Sequence, residues 1–117
     1  MNLKSIHNIY FIGIGGIGMS ALARYFRANN KHVSGYDKTQ TAITDALIAL
    51  NIQIHFDDAV ENIDTKFLNS EDTLVVYTPA IPKNHTELNY FKTHGFQILK
   101  RSEILGLITE NTFCLAV

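Results

Sequence analysis

The sequence predicts an α/β fold of the doubly wound, Rossmann-like kind, with a mainly parallel sheet of five or six strands and flanking helices. Short apolar segments alternate with segments of helical periodicity along all 117 residues. The apolar segments are nearly continuous, as expected for parallel strands that are buried on both faces. The first of them runs into a glycine-rich loop that opens a helix.

The predicted elements follow one another without a linker, an internal repeat or a low-complexity tract. Strands are predicted at residues 8–12, 32–36, 52–55, 73–77, 96–99 and 113–117. Helices are predicted at residues 16–29, 41–50, 84–95 and 102–110, and residues 57–68 as a loop with a turn or two of helix. In the first helix one apolar face toward the core is predicted, formed by Ile17, Ala21, Leu22 and Phe26.

Local signals predict where these helices begin and end. Asn29 and the asparagine after it favour a stop for the first helix. Asn84, followed three residues later by Glu87, resembles a capping box at the start of the third. Gly95 is expected to end that helix, and Ser102 to cap the last one.

Composition limits the classes of protein to consider. Hydrophobic residues make up 46% and charged residues 18%, the formal net charge is −1, and the basic residues are scattered, so no nucleic-acid partner is expected. The single cysteine, Cys114, cannot form an internal disulfide and is expected to be a buried, inert thiol. No apolar run reaches the roughly 18 residues of a membrane helix, so we expect a cytoplasmic protein without membrane insertion.

The end of the chain carries an expectation of its own. The apolar run at residues 113–117 stops abruptly, whereas a chain terminus normally reaches water. We therefore expect the native chain to continue from this strand into another domain.

The glycine loop carries the clearest functional signal. Gly13, Gly15 and Gly18 form a GxGxxG pattern between a strand and a helix, which permits a tight turn, a close approach of phosphate to the backbone, and close helix–strand packing. Amide groups at the helix start would attract a diphosphate. A side chain at Gly15 is expected to project into the phosphate position. Gly16 either lets the ligand approach the backbone more closely or is needed only for the shape of the backbone. For the loop as a whole, the alternative is a tight glycine turn that binds no ligand.

Two further segments are expected beside this loop. Asp37 ends the second strand, where an acid accepts hydrogen bonds from a ribose in dinucleotide folds, which taken alone favours NAD; the alternative is an exposed loop aspartate. The loop from Thr78 to Ile81 follows the fourth strand, and ligands of open α/β sheets bind beyond the carboxyl ends of the strands. The alternative is that this loop binds nothing and is only a connection stiffened by proline.

Several kinds of site are not expected in this chain. No GxxxxGK[ST] loop for a nucleoside triphosphate occurs in it. The five histidines lack metal-ligand spacing, so no metal is predicted. No nucleophile–base pair is evident either, and we predict no catalytic residue.

Four segments together resemble the Mur ligase family of peptidoglycan synthesis, and within it the UDP-N-acetylmuramate–L-alanine ligases. They are YFIGIGGIGMSALA at residues 10–23, VSGYD at 33–37, TPAI at 78–81, which is similar to Ser-Ser-Ala-Ile, and RSEIL at 101–105, which is similar to Arg-x-Glu-Met-Leu. The related murein-peptide ligases usually carry a cysteine in the glycine loop. Its absence here favours the alanine ligases.

The resemblance implies a role for the chain within a larger enzyme. Such ligases have three domains: the first binds the UDP part of UDP-N-acetylmuramate, the second binds ATP and magnesium, and the third contributes to the L-alanine site. The resemblance implies that residues 1–117 form the first domain, hold no cofactor and have no ligase activity alone. By position, the residues implied at the diphosphate are Gly15, Gly16, Ile17 and Gly18, and those implied at the uridine and sugar are Asp37, Thr78, Ala80 and Ile81.

The sequence departs from the family pattern at three places, all on the uridine side. Tyr36 replaces a serine, Asp58 stands where a histidine is common, and His85-Thr86-Glu87 replaces Asn-Pro-Glu. Two other classes of function remain open from the residues alone: an NAD-binding domain of a dehydrogenase, and a nucleotide-binding regulatory module of the kind that gates ion channels.

Overall fold

A five-stranded, all-parallel sheet forms the centre of the computed structural model, which describes residues 5–79 and 81–111. The strands are β1 (Asn8–Ile12), β2 (His32–Tyr36), β3 (Gln53–His55), β4 (Thr73–Tyr77) and β5 (Gln97–Lys100), in the order β3-β2-β1-β4-β5. This order confirms the predicted doubly wound fold. The predicted strand at 113–117 and the site residue Ala80 lie outside the described residues.

The described residues form four α-helices, of which three connect strands and the fourth follows β5. They are α1 (Ile17–Ala28), α2 (Ala42–Ile48), α3 (Thr86–Thr93) and α4 (Arg101–Asn111). The ambiguous segment at 57–68 contains two short 3₁₀ helices, Val60–Asn62 and Thr65–Leu68. No helix among the described residues is long and apolar enough to cross a membrane.

The sheet divides the core into two layers, because alternate side chains of each strand point to opposite faces. On β1, Ile9 and Phe11 pack with residues of α1, α2 and α4. Tyr10 and Ile12 pack on the other face with residues of α3 and the second 3₁₀ helix. β1 is buried along its whole length, as its central position requires.

The buried face of α1 differs from the prediction. Leu22 and Phe26 are buried with Met19 and Ala23, but Ile17 is 83% exposed and Ala21 is also exposed. At about 100° per residue, Ile17 and Ala21 lie on the side of the helix opposite Phe26. The prediction grouped two faces as one and was wrong for these two residues.

Two predicted helix starts were also wrong. The N-cap of α3 is His85 rather than Asn84, and the Glu87 side chain is buried instead of completing a capping box. α4 begins at Arg101, one residue before Ser102, with the Glu103 carboxylate accepting from the Lys100 amide at 2.9 Å. A shift of one residue leaves the local sequence pattern almost unchanged, which is why such boundaries are hard to predict.

The predicted ends of two helices are confirmed. Gly95, after α3, has a φ of +75°, the left-handed conformation that glycine adopts without strain. The asparagine pair ends α1, with Asn29 as its C-cap and Asn30 at a φ of 66°.

Candidate functional site

The carboxyl ends of the three central strands lie at one level. Ile12 pairs in register with Tyr36 of β2 and with Tyr77 of β4. The glycine loop that follows β1 is fixed to the end of β2, because the Gly13 and Ile14 amides both donate to the Tyr36 carbonyl oxygen, at 2.8 and 3.0 Å. The loops after β1, β2 and β4 therefore share one edge of the sheet.

Gly13 is where the glycine loop meets the loop after β4. Its φ of +92° is one that side-chain-bearing residues rarely adopt. A Cβ placed there would lie 2.6 Å from Thr78 Cγ2 and 3.5 Å from Ile81 Cδ1. The two loops thus lie in direct contact, as expected from the strand order.

Asp37 organises the glycine loop. Its Oδ2 accepts a hydrogen bond from the Gly15 amide at 2.7 Å, and its Oδ1 accepts one from the Thr39 amide at 3.0 Å. A Cβ on Gly15 would lie 2.8 Å from Asp37 Oδ2 and 3.0 Å from Thr44 Cγ2. The expectation that a side chain at Gly15 would enter the phosphate position is therefore wrong, since it would instead displace the carboxylate that holds the loop.

Replacing Asp37 with alanine is expected to loosen the glycine loop, because two backbone amides lose their acceptor. We expect protection of the Gly15 amide against hydrogen exchange to fall about tenfold, the effect of one lost hydrogen bond. Asp57→Ala is a matched control, since it removes an exposed carboxylate near the same edge that makes no such bond. Unchanged Gly15 exchange in folded Asp37→Ala would contradict the assignment.

The N-terminus of α1 is open. Gly16 is its N-cap, with φ −68° and ψ 153°, no side chain caps the helix, and its first turn contains no acidic residue. A Cβ on Gly16 would find no atom closer than 3.8 Å. No side chain therefore accepts a hydrogen bond from the first amides of the helix, and their partial positive charge stays available. Helix starts of this kind bind anions.

A cationic side chain lies against the same turn. A Cβ on Gly18 would lie 2.7 Å from Arg101 Nη1 and 3.0 Å from Arg101 Cδ. The glycine at this position therefore admits the arginine side chain, which adds positive charge beside the helix start.

A cleft of about 770 Å³ opens beside the glycine loop. Of the eight predicted site residues, Gly16, Asp37, Thr78 and Ile81 line it. Gly15, Ile17 and Gly18 adjoin it in the loop and first helical turn without lining it, and Ala80 lies outside the described residues. The other lining residues are Gly13, Tyr36, Lys38, Asp58, Pro82, Asn84, His85 and Thr86.

Part of the wall of this cleft is formed by Tyr36, Asp58 and His85, which are not among the predicted site residues. The rings of Tyr36 and His85 meet edge to face with centroids 4.7 Å apart, and His85 Nδ1 lies 3.2 Å from Asp58 Oδ1. Asp58 also accepts from the Thr86 and Glu87 amides, at 2.7 and 2.9 Å, and so caps α3 from a distant loop. The three departures from the family pattern thus form one contacting cluster, which only the folded chain reveals.

Behind this wall lies a buried polar network. Glu87, fully buried, accepts from the Tyr10 hydroxyl at 2.5 Å and the Ala59 amide at 3.1 Å, and its Oε2 lies 2.7 Å from His55 Nε2. Burial, then the charge of Glu87, raises the pKa of Tyr10 well above its ordinary value, so its hydroxyl remains a donor. Burial and then Asp58 likewise raise the pKa of Tyr36. This network fixes α3 and the Asp58 loop against the sheet.

The arrangement presents groups that can bind an anion. It offers amides at a helix start, two cationic side chains at its margin and a polar wall. Among the described residues, no three His, Cys, Asp or Glu side chains gather closely enough to hold a metal ion.

Comparison with known proteins agrees with this geometry. The UDP-N-acetylmuramate–L-alanine ligase of Flavobacterium psychrophilum is 57% identical over 117 residues, all of this chain and 26% of that protein. The crystal structure of UDP-N-acetylmuramate–alanine ligase from Thermotoga maritima matches with a TM-score of 0.74 and 32% identity, over 84% of this chain and 21% of its own. A murein peptide ligase from Psychrobacter arcticus shares the fold, with a TM-score of 0.73 at 20% identity over 92% of this chain and 21% of its own.

The chain thus spans about a quarter of the length of the curated relatives that it matches. The family model described as "Mur ligase family, catalytic domain" matches residues 8–112, nearly the whole sequence. The resemblance seen in the glycine loop and the loops beside it is confirmed, and the chain belongs to the Mur ligase family.

Proposed function

We propose that this chain binds the UDP moiety of UDP-N-acetylmuramate, as the first domain of an enzyme that joins L-alanine to the muramic acid carboxylate. The observation that carries the proposal is the uncapped N-terminus of α1, which opens beside the 770 Å³ cleft. A diphosphate is the part of a UDP-sugar that such a helix start would attract. The identity to UDP-N-acetylmuramate–L-alanine ligases supports the choice of substrate.

The proposed diphosphate site is the loop and first turn from Gly15 to Gly18. The Gly15 amide is engaged by Asp37, and the Gly16 amide faces the Gly13 carbonyl oxygen at 3.4 Å. The amides of Ile17 and Gly18, in the first helical turn, would therefore donate to the phosphate oxygens. The absence of a side chain at Gly16 lets those oxygens approach.

Charged side chains at the margin support this placement. The Arg101 guanidinium lies against Gly18, and Lys38 lines the cleft. Both could reach a dianionic group without burying their own charge. The uridine and sugar would then lie along Asp37, Thr78, Ala80 and Ile81.

The chemistry of ligation belongs to the rest of the proposed enzyme. There ATP, with magnesium, would transfer its terminal phosphoryl group to the substrate carboxylate and leave as ADP, and the amine of L-alanine would then attack the acyl phosphate and expel inorganic phosphate. This chain would orient the substrate in the cytoplasm, by its nucleotide end, and needs no cofactor for that. We expect no phosphate release from the chain alone with ATP, L-alanine and UDP-N-acetylmuramate.

Calorimetric titration tests the proposal against the NAD alternative. We expect UDP-N-acetylmuramate and UDP to bind and NAD to give no response. The glycine loop and Asp37 would suit either nucleotide, and the preference for UDP follows from the identity to UDP-N-acetylmuramate–L-alanine ligases. Selective binding of NAD without a response to UDP would overturn the proposal.

A further inference from the structure

The wall of the cleft contains a buried side-chain nitrogen without a hydrogen-bond partner. His85 is 5% exposed, and its Nε2 is the one buried side-chain nitrogen or oxygen in the described part of the chain that makes no hydrogen bond. An unpaired atom of this kind costs free energy, and native proteins nearly always supply a partner from protein, water or ligand. His85 lines the same cleft as Gly16 and Asp37, so a ligand bound there can supply the partner.

The other ring nitrogen of His85 shows that Nε2 is a donor. Nδ1 accepts a hydrogen bond from the Leu88 amide at 3.4 Å and so caps α3. A nitrogen that accepts carries no proton, and in the neutral ring the proton is then on Nε2. In a charged ring Nε2 would carry a proton as well. The missing partner is therefore a hydrogen-bond acceptor in either charge state.

The neighbours of the His85 ring do not supply this acceptor. The Asp58 carboxylate lies 3.2 Å from Nδ1 and accepts from the amides of Thr86 and Glu87. Tyr36, which also lines the cleft, packs edge to face against the ring, with centroids 4.7 Å apart. Rotation of a side chain such as Tyr36 is common when a ligand binds, and it would open Nε2 to the cleft.

The proposed ligand carries the groups that Nε2 lacks. UDP has acceptor oxygens along its whole length, in the diphosphate, in the ribose and in the uracil carbonyls. The lining of the cleft includes both Gly16, the N-cap of α1, and His85, the N-cap of α3. A nucleotide in the cleft can therefore contact both helix starts.

We propose that His85 is a further binding residue, whose Nε2–H donates a hydrogen bond to an oxygen of the bound nucleotide. Asp58 is a positioning residue in this arrangement, since it accepts two amides in the first turn of the helix that His85 caps. The inference rests on the proposed function. It adds a side-chain donor at the start of α3 to the backbone amides at the start of α1.

Two substitutions separate the roles of the two ring nitrogens. Asparagine is a preferred N-cap residue but does not extend to the position of Nε2, so His85→Asn keeps the cap of α3 and loses the donor. The glutamine side chain extends to the position of Nε2 with an N–H₂ group, but glutamine is not a preferred N-cap residue. His94→Asn is the matched control, since His94 is an exposed histidine at the other end of the same helix.

The experiment is calorimetric titration of the 117-residue chain and these variants with UDP, alongside thermal melts. We expect His85→Asn to melt close to the wild type and to bind UDP about five- to tenfold more weakly, the effect of one hydrogen bond. His85→Gln should keep its affinity within about twofold and melt lower, and His94→Asn should change neither.

Titration with the two halves of UDP assigns the acceptor. If Nε2–H donates to a phosphate oxygen, His85→Asn should also weaken the binding of inorganic pyrophosphate and leave that of uridine unchanged. If it donates to the ribose or the uracil, the reverse should hold. Either pattern supports a donor at His85.

Two results would overturn the inference alone: wild-type affinity for UDP in His85→Asn, or an equal loss in both His85 variants, which would trace to the helix start. Absence of any UDP binding by the wild type would overturn the proposed function as well. If His85→Asn does not fold, NMR of the Nε2–H group in the wild type decides. Its proton should move to lower field on saturation with UDP, and an unchanged shift would refute the contact.

Discussion

Replacing Glu87 with glutamine is expected to lower the free energy of unfolding by about 3 kcal/mol, the largest effect of any single polar substitution that we foresee. The carboxylate is fully buried and meets the Tyr10 hydroxyl, the His55 ring and the Ala59 amide. Glutamine puts an amide N–H₂ group where one of these donors needs an acceptor. Chemical denaturation measures the change, which corresponds to a melting temperature lower by roughly 10 °C.

Two comparisons isolate the cause of that loss. Glu61→Gln removes the charge of an exposed glutamate in the first 3₁₀ helix and should leave the unfolding midpoint unchanged. Tyr10→Phe removes one donor, and in a double-mutant cycle with Glu87→Gln the two losses should be less than additive by about 1 kcal/mol. Additive losses would mean that the hydroxyl and the carboxylate do not stabilise each other.

The same network connects stability to the proposed binding site. Glu87 holds the Ala59 amide, and the adjacent Asp58 holds the amides of Thr86 and Glu87. The loop after β3 and the start of α3 are therefore held together by hydrogen bonds in which each segment donates to the other. A loss at Glu87 displaces the wall that carries His85, so a weaker affinity for UDP should accompany the lower stability.

This network also shows what the sequence could not predict. The strands follow from local apolar runs, and the glycine loop from a fixed spacing, so both signals lie within a few residues. The hydrogen bond from the Tyr10 hydroxyl to Glu87 joins residues 77 positions apart, and that from the Glu87 amide to the Asp58 carboxylate spans 29. Polar pairs so distant leave no periodic trace, and the local pattern instead suggested a capping box at Asn84 and Glu87.

The candidate site could likewise be predicted only in part, because some of its contacts join residues that are distant in sequence. Gly16, Asp37, Thr78 and Ile81 could be placed in one cleft because parallel strands end at a common edge. The direction of a Cβ at Gly15 depends on the position of the Asp37 carboxylate, which is a tertiary contact. The wall of Tyr36, Asp58 and His85 also forms only when α3 packs against the sheet.

Replacing Gly16 with aspartate is expected to abolish binding of UDP-N-acetylmuramate while slightly stabilising the fold. The backbone at Gly16 has the extended conformation of an N-cap, and a Cβ there meets no atom within 3.8 Å. An aspartate would therefore cap α1 and complement its dipole, adding about 0.5 kcal/mol to the free energy of unfolding. Its carboxylate would occupy the amides proposed for the diphosphate and repel it, which should weaken binding at least about a hundredfold.

A neutral partner separates the two causes of the expected loss. Gly16→Asn offers the same cap without the charge, so its affinity should lie between those of the wild type and Gly16→Asp, with a similar gain in stability. Calorimetry and thermal melts on the same samples measure both quantities. At Gly16, then, a residue that stabilises the fold is available, but binding of the diphosphate requires glycine. Wild-type affinity in a folded Gly16→Asp variant would show that the diphosphate does not lie on the start of α1.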